Sequence, residues 1–580
     1  MATFDASAST QGFDVYSLTA VDWDSEDYSL AANYSYFTAD GHDIDLFGSG
    51  FTYAAGPTGG TVTSGQIDLN NDDYSNPDIV FSGFSGSLVD MTNGGAPGNT
   101  ADFYAGILYG DDTVTGSNYA DTLKGLGGAD SILGGGGADV LSGDDGADTL
   151  DGGTGSDTLY GGDGDDYLYE GFGNDVIYGD NNADSVVVAS AIDTDYFDGG
   201  ADEDTIDWSG SAQSGGTFDL AGGTASDGVH TETMINFEHL KGTGGADTII
   251  GTSGDNSLYG MDGNDSITGG DGADGLFGED FFNSTASNDT LIGGAGDDSL
   301  YGGGGDDSIR PGEDHDYSDG GAGVDTLDLS TTTIGADIDM AAGTADFPTY
   351  YVETILNFEN LYATLGNDTI SGTTGDNKIY GKDGDDNISG LTGNDTLAGQ
   401  LGNDTLGGGG GDDKVYGNGG DDKVNGGSGF DTLTGSAGND TLNGGNDDDE
   451  MFGNAGNDKL VGDVGNDKLV GLDGDDQLYA GQGDDTLKGG TGNDTMSGGG
   501  GADQFVFEAS TGDDVVNGFS SAQGDVLELK GITGFDVFAD VLAAATQVVD
   551  DVVIDLGGGD SITLAGVNLG DLQASDFIFS

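Results

Sequence analysis

The sequence predicts an all-β chain: a parallel β-roll, or β-solenoid, of nine-residue units, with a small β-rich region before it and a β cap after it. Three observations carry this reading. Aspartate recurs every nine residues over most of the chain, and such a fixed period marks a solenoid. Each unit holds one aliphatic residue between polar neighbours, the alternation of a half-buried strand. Glycine, the costliest residue to order, supplies 116 of 580 residues, so something besides ordinary core burial must hold the chain together.

Residues 1–106 contain none of these units. They are rich in aromatic residues, among them Phe47, Phe51, Tyr53, Phe81 and Phe84, in short alternating stretches between GPTGG and NGGAPG turns. They are expected to form a small β-rich domain or an N-terminal cap. The first block of repeats, 107–187, aligns Asp112, Asp121, Asp130, Asp139, Asp148, Asp157, Asp166, Asp175 and Asp184. A second, 242–328, carries Asp247, Asn256, Asp265 and Asp274, slips by six residues in GEDFFNSTASNDTLI, and resumes at Asp289, Asp298, Asp307, Asp316 and Asp325. The slip reads as a loop bulging from one turn.

The third block, 363–506, is sixteen units without a gap. Its column is Asp368, Asn377, Asp386, Asp395, Asp404, Asp413, Asp422, Asp431, Asp440, Asp449, Asp458, Asp467, Asp476, Asp485, Asp494 and Asp503. Between the blocks lie two interruptions, 188–241 and 329–362, related as duplicates. FDGGADEDTIDWS at 197 matches SDGGAGVDTLDLS at 318, and ETMINFEHL at 232 matches ETILNFENL at 353. They are expected to be longer rungs, not separate domains. The tail, 507–580, is aliphatic and aromatic; Phe505, Phe507, Phe519, Leu527 and Leu529 suit a cap over the last exposed rung.

Within a unit such as GGTGSDTLY, residues 152–160, six turn residues precede three strand residues. Side chains alternate across a strand, so Leu159 points inward while Thr158 and Tyr160 point outward. Two units make one turn of eighteen residues, and stacked turns align each Asp with the one eighteen residues away. Asp139, Asp157 and Asp175 then share one edge, and Asp130, Asp148 and Asp166 the other. Carboxylates so stacked repel unless a cation lies between them. Calcium suits oxygen-only donors in flexible loops, whereas magnesium prefers a smaller, wetter shell and zinc or copper would want His or Cys that these loops lack.

GGTGSDTLY, GGDGDDYLY and GGSGFDTLT resemble the GGxGxDxUx unit of RTX (hemolysin-type) calcium-binding proteins, a repeat of known Ca²⁺-binding type. The resemblance spans roughly residues 107–580. It implies a parallel β-roll in which each calcium sits between two successive loops on one edge, held by loop carbonyls and two Asp side chains. The candidate ligands are the column above without Asp112, Asp184, Asn256, Asp316, Asp325 and Asn377. Roughly two dozen ions would bind, cancelling about half of the formal charge of -96. The interruptions are expected to be calcium-poor. EGFGND at 170, GDNNAD at 179 and GTTGDN at 372 depart from the pattern and imply weaker or empty sites.

The charge bears on function directly. With 107 acids against 11 Lys and Arg, the chain repels nucleic acid and anionic lipid and attracts cations. Without a cation such a chain is expected to be disordered. No run is long and apolar enough to span a membrane. The first residues, MATFDASASTQGFDVYSL, show neither a positive n-region nor an apolar h-region, so a Sec-type leader is not expected, and the tail resembles the region of RTX proteins that carries an uncleaved type I secretion signal. An extracellular location, or the surface of a Gram-negative cell, follows as an expectation.

No HExxH or GxSxG motif occurs, and His42, His230, His239 and His315 have no metal-triad spacing. DLNNDD at 68 lacks the glycine and glutamate of an EF-hand loop, with Asp73 and Ile79 in those places. The leading expectation is a non-enzymatic, calcium-dependent structural or interaction rod, serving a surface layer, matrix, filament or adhesin. Its expected partners are calcium, the type I secretion machinery, and either copies of itself or cell-surface glycan. The alternative is a secreted polysaccharide-active or other hydrolytic enzyme with an RTX folding module.

Overall fold

A computed structural model describes residues 111–580, apart from 117, 190–192, 212–213, 280–285, 349 and 510. Before them it describes the backbone of six strands: Tyr34–Ala39, His42–Phe47, Ser64–Asp68, Ile79–Ser82, Met91–Asn93 and Phe103–Gly106. The rest of the N-terminal region, the DLNNDD turn beyond Asp68 and the side chain of His42 lie outside the described residues. The chain divides into two compact units, Met1–Leu291 and Ile292–Ser580.

Both units are parallel β-solenoids, and the rung length is the predicted one. In the first unit Val140 pairs with Thr158 and Thr149 with Tyr167, each eighteen residues apart in parallel register. The first and second of these strands belong to different sheets, so consecutive nonapeptides lie on opposite faces of a thin roll. The inward residues Leu141, Leu150, Leu159, Leu168 and Ile177 are fully buried. One aliphatic side chain per unit thus builds a continuous core, although no single unit has one.

In the second unit the same spacing holds without a break from the strand Asn387–Thr392 to Thr495–Gly500. Leu397, Leu406, Val415, Val424, Leu433, Leu442, Met451 and Leu460 are buried along it. The strands are longer than the three residues that alternation predicts. Thr441–Asn446, for example, continues through Gly444 and Gly445. Gly445 lets the ladder continue because the neighbouring rung comes close, the Gly427 carbonyl oxygen lying 2.2 Å from where a Cβ would stand.

Each interruption adds a hairpin. In the first unit Thr217–Asp219 runs antiparallel to Thr224–Ser226, which runs antiparallel to Thr231–Ile235. The outer arms rejoin the roll in parallel, Thr233 beside Tyr196 and Thr217 beside Thr248. Trp208, fully buried, lies between the rings of Phe197 and Phe218, at 6.0 and 5.2 Å. The second copy, in the second unit, repeats the hairpin with Asp337–Asp339, Thr344–Phe347 and Tyr351–Leu356. It has Ser318, Leu329 and Ile338 at the equivalent positions and adds Phe347, 1% exposed, 4.8 Å from the Tyr351 ring.

The tail extends both faces of the second unit. Val515 pairs with Thr495 and Val526 with Gln504, and Ser561 and Phe577 continue those ladders. Phe505, Phe507, Phe519, Leu527 and Leu529 are buried there. The helix Phe538–Ala544 and two short 3-10 turns are additions that alternation did not signal. Among the described residues no helix is long and apolar enough to cross a membrane.

Candidate metal centres

Each unit places its sixth residue, the Asp, at the mouth of the following strand. The backbone N–H of that Asp donates to Oδ1 of the Asp one rung on. In the first unit the bonds run Asp121 to Asp139 to Asp157 to Asp175 on one edge and Asp130 to Asp148 to Asp166 to Asp184 on the other, at 2.6–2.9 Å. Asp247 donates to Asp265, and Asp265 to Asp289 across the six-residue slip, both at 2.7 Å. Asp274 accepts from Asn256 at 2.8 Å.

In the second unit Asp298 donates to Asp316 and Asp307 to Asp325. One edge then runs from Asp368 through Asp386, Asp404, Asp422, Asp440, Asp458 and Asp476 to Asp494. The other runs from Asn377 through Asp395, Asp413, Asp431, Asp449, Asp467 and Asp485 to Asp503. All the candidate ligands are buried, at most 7% exposed.

The second carboxylate oxygen decides the chemistry. In Asp130, Asp139, Asp148, Asp157, Asp166 and Asp175, and in every column Asp from Asp386 to Asp503, Oδ2 is buried and makes no hydrogen bond. Such an orphan is expensive unless a cation meets it. The electrostatics agree. Burial pushes the Asp440 carboxyl up to about 7; the Asp422 N–H pulls it down, and the charges of Asp422 and Asp458 push it up again. Asp166 and Asp476 are likewise raised to about 7 and Asp404 to about 6, burial leading in each.

Glycine fills the first position of most loops, with Glu170, Pro311 and Ala480 among the exceptions, because space there is short. A Cβ on Gly161 would lie 2.4 Å from Asp166 Oδ2 and 2.6 Å from the Gly179 carbonyl oxygen, so both oxygens converge where a side chain would stand. Among the described residues no three His, Cys, Asp or Glu side chains gather in a metal-binding group. Any ion must therefore take much of its shell from backbone carbonyls, which suits calcium's six to eight oxygen ligands.

Two of the candidate ligands are satisfied without an ion. Asp247 Oδ2 accepts from the N–H and hydroxyl of Thr243, and its Oδ1 from Gly216. Asp368 accepts in the same way from Thr364 and Ala336. These residues open the second and third blocks. Asn256 and Asn377 also open their edges, and their amides donate to the carbonyls of Glu238 and Glu359, at 2.8 and 3.0 Å, a bond that a carboxylate could not make.

Sequence reasoning missed several column residues. Asp195 and Asp204 continue the two edges of the first unit with a spacing of 20, and Asp514 and Asp525 close those of the second with spacings of 20 and 22. Their irregular spacing hid them. It also missed an exposed ladder at the fifth position, where N–H groups donate one rung backward, as from Asp421 to Asn403 and Asn439 to Asp421. The Asp-or-Asn content of that position was the available signal. Of the histidines, His230 lies 3.2 Å from Asp227, and His239 Nδ1 accepts from the Ser257 N–H.

The RTX calcium-binding nonapeptide repeat model matches residues 108–194, 241–318 and 362–505 in overlapping copies, together more than half of the chain. No curated protein sequence matches. Among solved structures, the crystal structure of extracellular lipase LipA from Serratia marcescens is similar at 18% identity, over 58% of this chain and 40% of that one, with a TM-score of 0.15. The chain thus spans less than half the length of that protein, and nothing about activity follows. The repeat model and the twin columns of buried aspartates agree: the chain belongs to the family of RTX calcium-binding nonapeptide repeat proteins.

Proposed function

We propose that this is a secreted, non-catalytic protein whose blocks fold on meeting extracellular calcium and whose folded solenoid is what it contributes. It serves as a structural or interaction element at the surface of a Gram-negative cell, in a surface layer, matrix, filament or adhesive coat. Its partners beyond calcium are copies of itself, bridged through acidic faces, or a surface glycan, and the type I secretion machinery exports it. The observation that supports this is the column of buried carboxylates with a free Oδ2, a fold that is costly without cations. Extracellular calcium modules work near 10⁻⁴ to 10⁻³ M, so a low-calcium cytosol would keep the chain unfolded and exportable.

Circular dichroism and light scattering of the full chain, with chelator and with millimolar calcium, test the reading. A β-rich signal and ordered assemblies that appear only with calcium are expected. A compact β-rich state in excess chelator at pH 8, where the column carboxyls are ionised, would overturn the folding mechanism. Strictly monomeric protein at high concentration, with no affinity for surface glycan, would overturn the structural role.

A further inference from the structure

The interruptions lose the nonapeptide but keep the acid column. Tyr196 pairs with Thr233 and Tyr317 with Thr354, so Asp195 faces Glu232 and Asp316 faces Glu353, as Asp139 faces Asp157 in a regular rung. The backbone bond is the regular one as well. Thr233 donates to the Asp195 carbonyl at 3.0 Å and Thr354 to that of Asp316 at 2.9 Å, as Thr158 does to Asp139 at 2.8 Å. The hairpins have only lengthened the chain between partners, from 18 residues to 37 in both copies.

What meets at these positions is unbalanced charge. Glu353 is 1% exposed, and neither Oε1 nor Oε2 has a hydrogen-bond partner. Asp316, 3% exposed, spends Oδ1 on the Asp298 N–H and leaves Oδ2 without one. Neither takes part in an ion pair among the described residues. The first copy repeats the pattern in part: Glu232 is 2% exposed and its Oε2 accepts from the Asp195 N–H at 3.1 Å, while Asp195 Oδ2 has no N–H or hydroxyl donor and the two carboxyl groups lie against each other. Two buried carboxylates facing each other, twice, at the register position of the metal column, call for a cation.

We propose that each interruption closes its block with a divalent-cation site of its own, Asp195 with Glu232 and Asp316 with Glu353. The strand carrying the glutamate is the return arm of a hairpin, so it brings no glycine loop. Glu353, with both oxygens free, can offer two ligands in compensation, as carboxylates do in bidentate calcium sites, whereas Glu232 keeps Oε2 on the Asp195 N–H. Oxygen-only donors select a hard ion, calcium over zinc or copper. Rungs that sequence reading leaves calcium-poor thus supply the terminal sites of the first two blocks. The inference rests on the regular rungs being calcium sites.

Hydrogen exchange followed by mass spectrometry, on the full chain titrated with calcium, resolves the two questions. In wild type, peptides covering 231–235 and 351–356 gain protection with calcium, as do those of the third block. Glu353→Gln should raise the calcium midpoint at 351–356 about tenfold while leaving 231–235 and the third block unchanged, and Glu232→Gln should do the converse. Unchanged midpoints in both variants, with wild-type third-block protection still calcium-dependent, would overturn the terminal sites alone. Absence of calcium dependence in every wild-type peptide would overturn the underlying reading. Protection of the third block at saturating calcium reports whether each variant folds. Should one variant not fold, calcium-insensitive protection of 231–235 and 351–356 in wild type would still overturn the proposal.

Discussion

The third block and the two interruptions solve the same problem with different means. In the block, every rung is eighteen residues and every column position an Asp or Asn, so the ladder from Asp368 to Asp494 never changes its geometry. In the interruptions the rung swells, yet Glu232, Glu238, Glu353 and Glu359 arrive at the column positions. Glu238 and Glu359 accept the N–H groups of Asp204 and Asp325, both at 2.9 Å. The column is therefore a property of the stacked fold and not of the nine-residue motif. Stability in the block comes from repetition of one acid site, and in the interruptions from side-chain packing around Trp208 or Phe347.

The largest test of this contrast is acidification in chelator. The block carboxyls have folded values above the ordinary 3.8, about 7 for Asp440 and Asp476 and about 6 for Asp404, so the folded chain binds more protons than the unfolded one. Metal-free stability is then fully present below about pH 3.8 and is lost as pH rises through 6 to 7. Without calcium, exchange protection of the third block should be high at pH 4 and absent at pH 8. With calcium the trend reverses, because protons compete for the same oxygens. Equal protection at both pH values without calcium would break the comparison.

Packing should dominate the first interruption instead. Trp208→Ala is expected to cost about 3–5 kcal/mol in calcium-saturated protein, read as denaturant-dependent exchange of 205–241, with the third block unaffected. Trp208→Phe should recover most of that loss, since the indole Nε1 makes no hydrogen bond. A smaller effect is expected where a block opens on a threonine. Thr364→Val removes the hydroxyl that satisfies Asp368 and should destabilise the adjoining rungs by about 1–2 kcal/mol. The same loss in chelator at pH 4 as in calcium would show that this end is held without an ion.

Smallest is the backbone. Leu391 takes the second loop position with a φ of 77°, in the left-handed region where glycine is at ease. Leu391→Gly should raise the melting temperature slightly, by no more than about 1 kcal/mol of stability, because relief of strain is partly offset by a looser unfolded chain. A clear loss would mean that the half-exposed leucine packs for a purpose.

Much of the site was legible because its contacts are local in a special sense. Asp139 and Asp157 meet because they are one period apart, and any reader of the period finds them. Thr243 and Thr364 were not legible as caps, since a threonine in a glycine-rich loop looks like any turn residue until its hydroxyl is seen on Asp247 or Asp368. Asp195, Asp204, Asp514 and Asp525 escaped because inserted residues broke the count. The duplicated ETMINFEHL and ETILNFENL did hold a signal, two glutamates kept six residues apart in both copies.

Sequence alone determined the rung, the inward column and the partner of each regular Asp, because a nine-residue period with one strand per unit permits a single stacking register. Tertiary structure alone decided which acids of the non-repeating segments join that column. Their partners lie 34 to 37 residues apart through a hairpin, and only the folded path of that hairpin brings Glu232 to Asp195 and Glu353 to Asp316. Periodicity can replace geometry where the chain repeats; where it does not, position is set by which strand the backbone chooses to pair with.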